Sequence, residues 1–279
     1  MAEVLKVSEQ GYYKNFKNGE KPYKHEALLA MILAIRAEHP DNANYGTQRI
    51  YLRAQQAPYN YKGAYRSIYR VMKENDLLIK QKKHPNGITK ADRDAQKSEN
   101  LIKQDFTATV PNEKWLSDIT EVPCADGKLY VSAVLDCFDG AIIGLTFDDN
   151  MRKELCIDSF EQACNRFNAR GMIFHSDRGS QYTSKLFRES LCNNGAIQSM
   201  SSTGRCYDNA RMESFFATLK KEKLYKIKTE LLPLETVKTI IFRYVEIYYN
   251  RKRVYTTNTG GYPPLVYRNM YYCSVQKTA

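Results

Sequence analysis

Between residues 24 and 80 the apolar positions recur at helical spacing. In HEALLAMILAIRAEH (25–39), Leu28, Leu29, Ile32 and Ile35 fall on one stripe, which predicts a first helix. Gly46 interrupts the pattern, and Thr47 is placed to cap a second helix through QRIYLRAQ. A third run, YKGAYRSIYRVMKENDLL (61–78), sets Ala64, Ile68, Val71, Met72 and Asn75 at helical spacing and turns Arg66, Arg70 and Lys73 to another face. Residues 79–104 are polar, charged and poor in apolar side chains, the composition of a linker.

The period changes from about residue 107. KWLSDITEVP (114–123), KLYVSAVLDCF (128–138) and AIIGLTF (141–147) read as strands, separated by turn signals at Asp126-Gly127 and Asp139-Gly140. They predict an antiparallel meander. A helix follows over 153–168 with Leu155, Phe160, Ala163 and Phe167 inward. Next come a strand in MIFHSD (172–177), a helix near 184–194, a short strand in AIQSM (196–200) and a long helix after Asp208. VKTIIFRYVEIYYNRKR (237–253) is an amphipathic helix with a basic end, terminated by GGYPP. Three strands followed by alternating helix and strand predict an α/β layered domain. The expected organisation is a helical region at 1–80, a linker at 81–106 and an α/β core at 107–270. In such a core the first and fourth strands are expected to be neighbours at the sheet centre.

Charge adds a partner class to this picture. Of the 279 residues, the first 104 hold 19 Lys and Arg against 11 Asp and Glu, and the rest hold 23 against 20. Basicity concentrated in the first third, around three helices of which the last is basic, fits either a helix-turn-helix-like module facing a polyanion, nucleic acid above all, or a plain bundle with a solvated basic surface. Arg66, Arg70 and Lys73 are the phosphate-contact candidates of the first reading. No run of 18 apolar residues and no secretory leader are visible, so a cytoplasmic protein without membrane contact is expected. The seven cysteines lie apart with no C-x-x-C pair, and there are four histidines, which argues against a zinc site.

HSDRGSQYTS (175–184) sets His, Ser and Asp side by side. Neighbours on a strand point to opposite faces, so these three cannot form a nucleophilic relay. There is also no G-x-S-x-G turn to present the serine. The acids carry a different chemistry. Asp118 lies on the first strand, Asp177 ends the fourth and Glu213 starts the long helix. They are either three unrelated surface acids or a set converging on one point. Convergent carboxylates repel unless a cation lies between them, and oxygen-only donors select Mg²⁺ or Mn²⁺. Two such ions about 3.5–4 Å apart serve phosphoryl chemistry on both the attacking and the leaving oxygen.

Asp118, Asp177 and Glu213, with 35 residues between the last two, resemble the acid trio of the DDE transposases and retroviral integrases. More closely, the chain resembles OrfB, the catalytic component of the IS-three family of bacterial insertion sequences. YGTQRI and YRSIYRVMKENDLL match its helical region, and NEKWLSDITEV, HSDRGSQYTS and GRCYDNARMESFFATLKKE match its three acid motifs in order. YNRKR and GGYPP match its C-terminal end. The resemblance implies an RNase H-like core, a mixed five-stranded sheet with flanking helices, behind a helix-turn-helix-like domain. It implies that Asp118, Asp177 and Glu213 hold two Mg²⁺ or Mn²⁺ ions. Water then cuts at the 3′ end of the element, and the freed 3′-OH attacks a second phosphodiester. The implied partners are terminal inverted repeats, target DNA, further copies of the chain on DNA, and an upstream-frame product acting in fusion or alongside. A catalytically idle DNA-binding remnant and a stand-alone RNase H-like nuclease are the rival readings. Two departures from the family pattern, at Val254-Tyr255 after Arg253 and at SSTG (201–204), bear on DNA-end contacts and leave the acids intact.

Around the acids, Gln181, Arg205, Asn209, Lys220, Arg251 and Arg253 are the DNA-contact candidates. Arg251 and Arg253 equally suit the negative end of a helix. Lys220 shares a helical face with Glu213, Phe216 and Ala217. Asp208 reads as the cap of that helix. His175 is expected either to support a carboxylate or phosphate or simply to pack, and Gly179 to free the chain to turn after Asp177. Trp115 is expected in the core.

Overall fold

The computed structural model describes residues 8–10, 23–79, 100–102, 105–201 and 209–278. The chain divides into two compact units, Met1–Lys80 and Gln81–Ala279.

In the first unit, α1 (Glu26–Ala37), α2 (Thr47–Gln55) and α3 (Tyr65–Glu74) pack through the apolar stripes read from the sequence. Ile32, Ile35, Ile50, Ala54, Ile68, Val71 and Met72 are fully buried. Leu28 and Leu29 are only half-buried, at the open end of the stripe. Two details differ from expectation. Gly46 stands at the N-cap and Thr47 is the first helical residue, buried and without a side-chain capping bond. Ala64 precedes α3 and is exposed. The turn between α1 and α2 is held by Asn42, whose amide donates to the Ile35 carbonyl at 2.8 Å. Arg53 adds a two-point bond to Glu38, at 2.9 and 2.6 Å.

The second unit is built on a mixed five-stranded sheet of order β3-β2-β1-β4-β5. The antiparallel meander runs through β1 (Lys114–Cys124), β2 (Gly127–Asp136) and β3 (Ile142–Asp148). β4 (Ile173–Ser176) and β5 (Ile197–Met200) add in parallel, with β4 directly beside β1. The expected neighbourhood of the first and fourth strands is therefore observed. Gly140, in the turn between β2 and β3, has φ +76°, and a Cβ there would run into the Tyr255 ring. Only glycine suits both demands.

Helices cover both faces. On one, α4 (Lys153–Arg166), α5 (Ser180–Thr183) and α6 (Lys185–Asn193) pack on the sheet. Their core joins Trp115, Val134, Ile143 and Phe174 to Cys156, Phe160, Tyr182 and Phe187. The alternate residues Leu129, Val131, Ala133 and Leu135 are also buried and belong to the other face. There α7 (Ala210–Glu222) packs on β1, and α8 (Leu234–Phe242) on β2. α8 runs into a π-helical stretch, Arg243–Tyr249, whose wider turn buries Tyr244, Val245, Tyr248 and Tyr249.

A last helix, α9 (Pro264–Thr278), begins at the final proline of GGYPP. The sequence pattern does not predict it, and the expected core boundary at residue 270 falls inside it. Its Arg268 is buried to 1% exposure. The guanidinium donates to Asp139 Oδ2 and Asp136 Oδ2 at 2.6 Å each and lies 4.4 Å from the centre of the Phe167 ring. Asp136 also accepts the Asn112 and Phe138 amides, and Asp139 the Ala141 amide, all at 2.8 Å. This clasp locks α9 to the β2–β3 turn. No helix among the described residues is long and apolar enough to cross a membrane.

Candidate active site

Asp118 sits in mid-β1, paired with Ala133 of β2. Its Oδ1 accepts the Ile119 amide at 2.8 Å. Asp177 follows the last residue of β4, exposed, and its Oδ1 accepts the Gly179 amide at 3.0 Å. Glu213 is on the first turn of α7, also exposed. Asp118 and Glu213 line one open pocket of about 320 Å³ with Thr120, Phe216, Ala217, Lys220 and Lys221. The expected helical face of Glu213, Phe216, Ala217 and Lys220 therefore opens onto the Asp118 strand.

The electrostatics bring the third acid in. The Asp118 carboxyl is pushed up to about 7, first by burial, then by the negative charge of Asp177, with a smaller contribution from Glu213. Although Asp177 is exposed as a residue, desolvation by the protein packed around its carboxyl raises it too, against the Gly179 amide that favours its charged form. Lys220 is half-buried; desolvation lowers its pKa, and the Asp118 charge opposes that shift. Two carboxylates thus act on the Asp118 carboxyl, with one partly desolvated ammonium nearby. The donor chemistry, all carboxylate oxygen, fits a hard divalent cation. Among the described residues, no three such side chains are gathered into a ready coordination shell. Like charges without an intervening cation are expected to stand apart.

A pH prediction follows for the metal-free protein. An acid whose folded pKa lies above its unfolded value adds most stability below the unfolded pKa, and this is lost as pH rises through the folded one. For Asp118 that window runs from about 4 to about 7. In EDTA, Asp118→Asn should gain Tm over wild type by on the order of 5 °C at pH 8, and little at pH 4. Equal differences at both pH values in thermal melts would contradict the assignment.

The remaining predicted residues divide. Arg66, Arg70 and Lys73 are exposed on α3, and Arg251 is exposed beyond the π-helical stretch, its Nε donating to the Glu246 carbonyl at 3.1 Å. Gln181 is half-buried and donates to the Met151 carbonyl at 3.1 Å. Arg205 and Asp208 lie outside the described residues. Arg253 does not fit the expected phosphate contact. It is 4% exposed and bonds both Glu222 oxygens, at 2.9 and 2.8 Å. Asn209 is likewise turned inward, 5% exposed, donating to the Ser117 carbonyl at 3.0 Å. His175 is fully buried, its two ring nitrogens bonded to Ser199 and Ser201 at 2.8 and 3.2 Å, so it braces β4 against β5 and the residue following it.

Gly179 has an ordinary φ of −57°. A Cβ there would lie 3.1 Å from Asp177 Oδ1 and 2.9 Å from Gln181 Oε1, a tight approach to two side-chain tips rather than a backbone demand for glycine. Sequence reasoning passed over Ser117. Its Oγ is 2.9 Å from the Tyr182 hydroxyl. Its one signal is a small polar residue beside Asp118 in an otherwise apolar stretch.

Residues 108–206 and 213–272, together more than half of the chain, match the integrase core domain. The transposase for insertion sequence IS904 of Lactococcus lactis is 43% identical over 158 residues, 56% of this chain and 62% of that protein. The 31 kDa protein of insertion element IS600 from Shigella sonnei is 33% identical, with 98% of each chain covered. Transposase InsF for IS3A of Escherichia coli is 32% identical over 96% of this chain and 93% of its own. Among solved structures, the HTLV-2 integrase catalytic core domain in complex with magnesium is similar over 58% of this chain and 99% of its own, at 18% identity and a TM-score of 0.44. With relatives of this identity over nearly its whole length and an integrase core domain after its helical region, the chain belongs to the IS3-type insertion-sequence transposases.

Proposed function

We propose that the chain carries out divalent-metal-dependent cleavage at the 3′ ends of its element and transfer of the freed ends to new DNA. The observation that supports this reading is that Asp118 and Glu213 line one pocket, and that burial first, then the charge of Asp177 and to a lesser degree that of Glu213, push the Asp118 carboxyl up to about 7. Asp118, Asp177 and Glu213 would hold Mg²⁺ or Mn²⁺, two ions by the family's chemistry. A bound cation supplies charge neutralisation and Lewis acidity at the scissile phosphate. Lys220 and Lys221, lining the same pocket, offer ammonium groups to the phosphate oxygens of an incoming strand. Glu213 stands exposed and can swing toward the other two acids as the negative charge is neutralised. The partners proposed are the terminal repeats, target DNA, further copies of the chain and an upstream-frame product, in the cytoplasm of a bacterium.

The helical unit at 1–80 is proposed to grip DNA through α3, joined by the stretch at 81–106 to a core from 107 onward. Exposed Arg66, Arg70 and Lys73 lie on one helix, and phosphate contacts release counterions. Replacing all three by Ala should weaken DNA binding and lower the salt slope of log K by about 2–3. An unchanged slope in fluorescence anisotropy across salt concentrations would remove α3 from the interface.

Substrate choice tests the function. With Mg²⁺ or Mn²⁺, the protein should nick labelled duplexes taken from the DNA flanking its gene in preference to unrelated duplexes. Preferential cutting of an RNA–DNA hybrid with no end preference would make it a nuclease instead.

A further inference from the structure

The three acids reside on three separate elements, yet one buried residue ties those elements together. Ser117, fully buried, directly precedes Asp118. Its side-chain oxygen is 2.9 Å from the hydroxyl of Tyr182, itself buried to 1% on α5, the short helix that leaves the Asp177 turn. Its carbonyl accepts the amide of Asn209 at 3.0 Å, at the N-terminal boundary of α7 and one helical turn before Glu213. α5 is in turn fixed to the Asp177 turn, since the Tyr182 amide donates to the Gly179 carbonyl at 3.0 Å and the Gly179 amide to Asp177 at 3.0 Å. From below, Gln198 of β5 donates to the Tyr182 carbonyl at 2.9 Å.

Asn209 makes this link instead of capping its own helix. Its Oδ1 is buried with no hydrogen-bond partner among the described residues, so the bond donated to the Ser117 carbonyl is what orients the amide. Neither Tyr182 nor Asn209 needs to touch DNA to matter. Each hydrogen bond fixes the offset of one acid-bearing element against β1, and together they triangulate the three carboxylates.

We infer that Ser117, Tyr182 and Asn209 form a positioning hub that sets the separation of Asp118, Asp177 and Glu213 for a shared divalent cation. This rests on the metal-binding reading proposed above. Groups that orient metal ligands from behind change metal affinity by about 10–100-fold when removed. A residue that only stabilises the fold does not change it.

The test is Mn²⁺ titration calorimetry on the full chain, beside thermal melts. The variants are Tyr182→Phe, Ser117→Ala, the two combined, and Asn209→Ala. The control is Ser132→Ala, which removes an equally buried hydroxyl bond, 2.8 Å to Ser159, on β2. Tyr182→Phe and Ser117→Ala should each weaken Mn²⁺ binding at least about tenfold. The pair should be no worse than either alone, because they break the same bond. Ser132→Ala should lose similar Tm and keep wild-type affinity. Asn209→Ala should weaken Mn²⁺ from the Glu213 side, and it decides the matter if Tyr182→Phe does not fold. Wild-type affinity in folded Tyr182→Phe overturns the hub and leaves the metal reading standing. Failure of wild type itself to bind Mn²⁺ overturns both.

Discussion

Asp177→Asn is expected to abolish end cleavage and joining, by at least about 1,000-fold, while DNA binding stays within a few-fold of wild type. The amide keeps the shape of the side chain and can still accept the Gly179 amide through its oxygen, so the turn should hold. It removes one of the charges that face Asp118. A cation held by carboxylates contributes several kcal/mol of transition-state stabilisation, and each 1.36 kcal/mol is tenfold in rate. Binding should survive because the exposed basic face of α3 belongs to a different unit of the chain. Single-turnover cleavage on labelled ends, with anisotropy on the same duplex, separates the two effects. Activity within tenfold of wild type would sink the assignment of Asp177.

The second large effect is on stability. Arg268→Ala should cost about 3–5 kcal/mol, because it strands two buried carboxylates, Asp136 and Asp139, without their counter-charge. A Tm loss on the order of 10 °C is expected. Arg268→Lys should recover little, since one ammonium cannot reproduce a fork that reaches both acids and lies against the Phe167 ring. A shift below about 2 °C in a melt at pH 7 would mean that solvent reaches the clasp. Because Asp136 ends β2, and β2 pairs with the Asp118 strand, a weakened clasp is expected to loosen the β2–β3 turn before the acids themselves.

Local pattern made most of the sheet legible. Alternation and turn residues mark the meander, and a strand of four buried or half-buried residues between two helices marks β4. The placement of β4 beside β1 followed from topology, and the acids from the order of three motifs. What the sequence hid was direction. RKR at 251–253 reads as one basic cluster, yet Arg251 points out and Arg253 turns in to Glu222, 31 residues earlier in the chain. The π-helical stretch changes the register there, which a 3.6-residue period does not register. Asn209 reads as a DNA-contact candidate because its partner, the Ser117 carbonyl, is a backbone atom 92 residues away. α9 escaped because its chain face is mixed, with Met270, Tyr272 and Val275 exposed while Arg268 is buried. Gly179 suggests a turn that needs glycine, yet its φ is ordinary and only the side-chain tips of Asp177 and Gln181 crowd it. The sequence leaves His175 open between helper and packing residue, because its serine partners on and just beyond β5 lie 24 and 26 residues away and meet it only through the pairing of β4 with β5.

The most direct measurement is an end-joining assay with the purified chain, alone and with the upstream-frame product, on labelled DNA from both flanks of its gene. The expected result is a free 3′ end at the element boundary and a joined product, both present with Mg²⁺ or Mn²⁺, absent in EDTA, and absent in Asp118→Asn, Asp177→Asn and Glu213→Gln. Cleavage and joining that persist in EDTA or in those variants, or that neither form performs with either metal, would contradict a three-carboxylate, metal-dependent strand transferase.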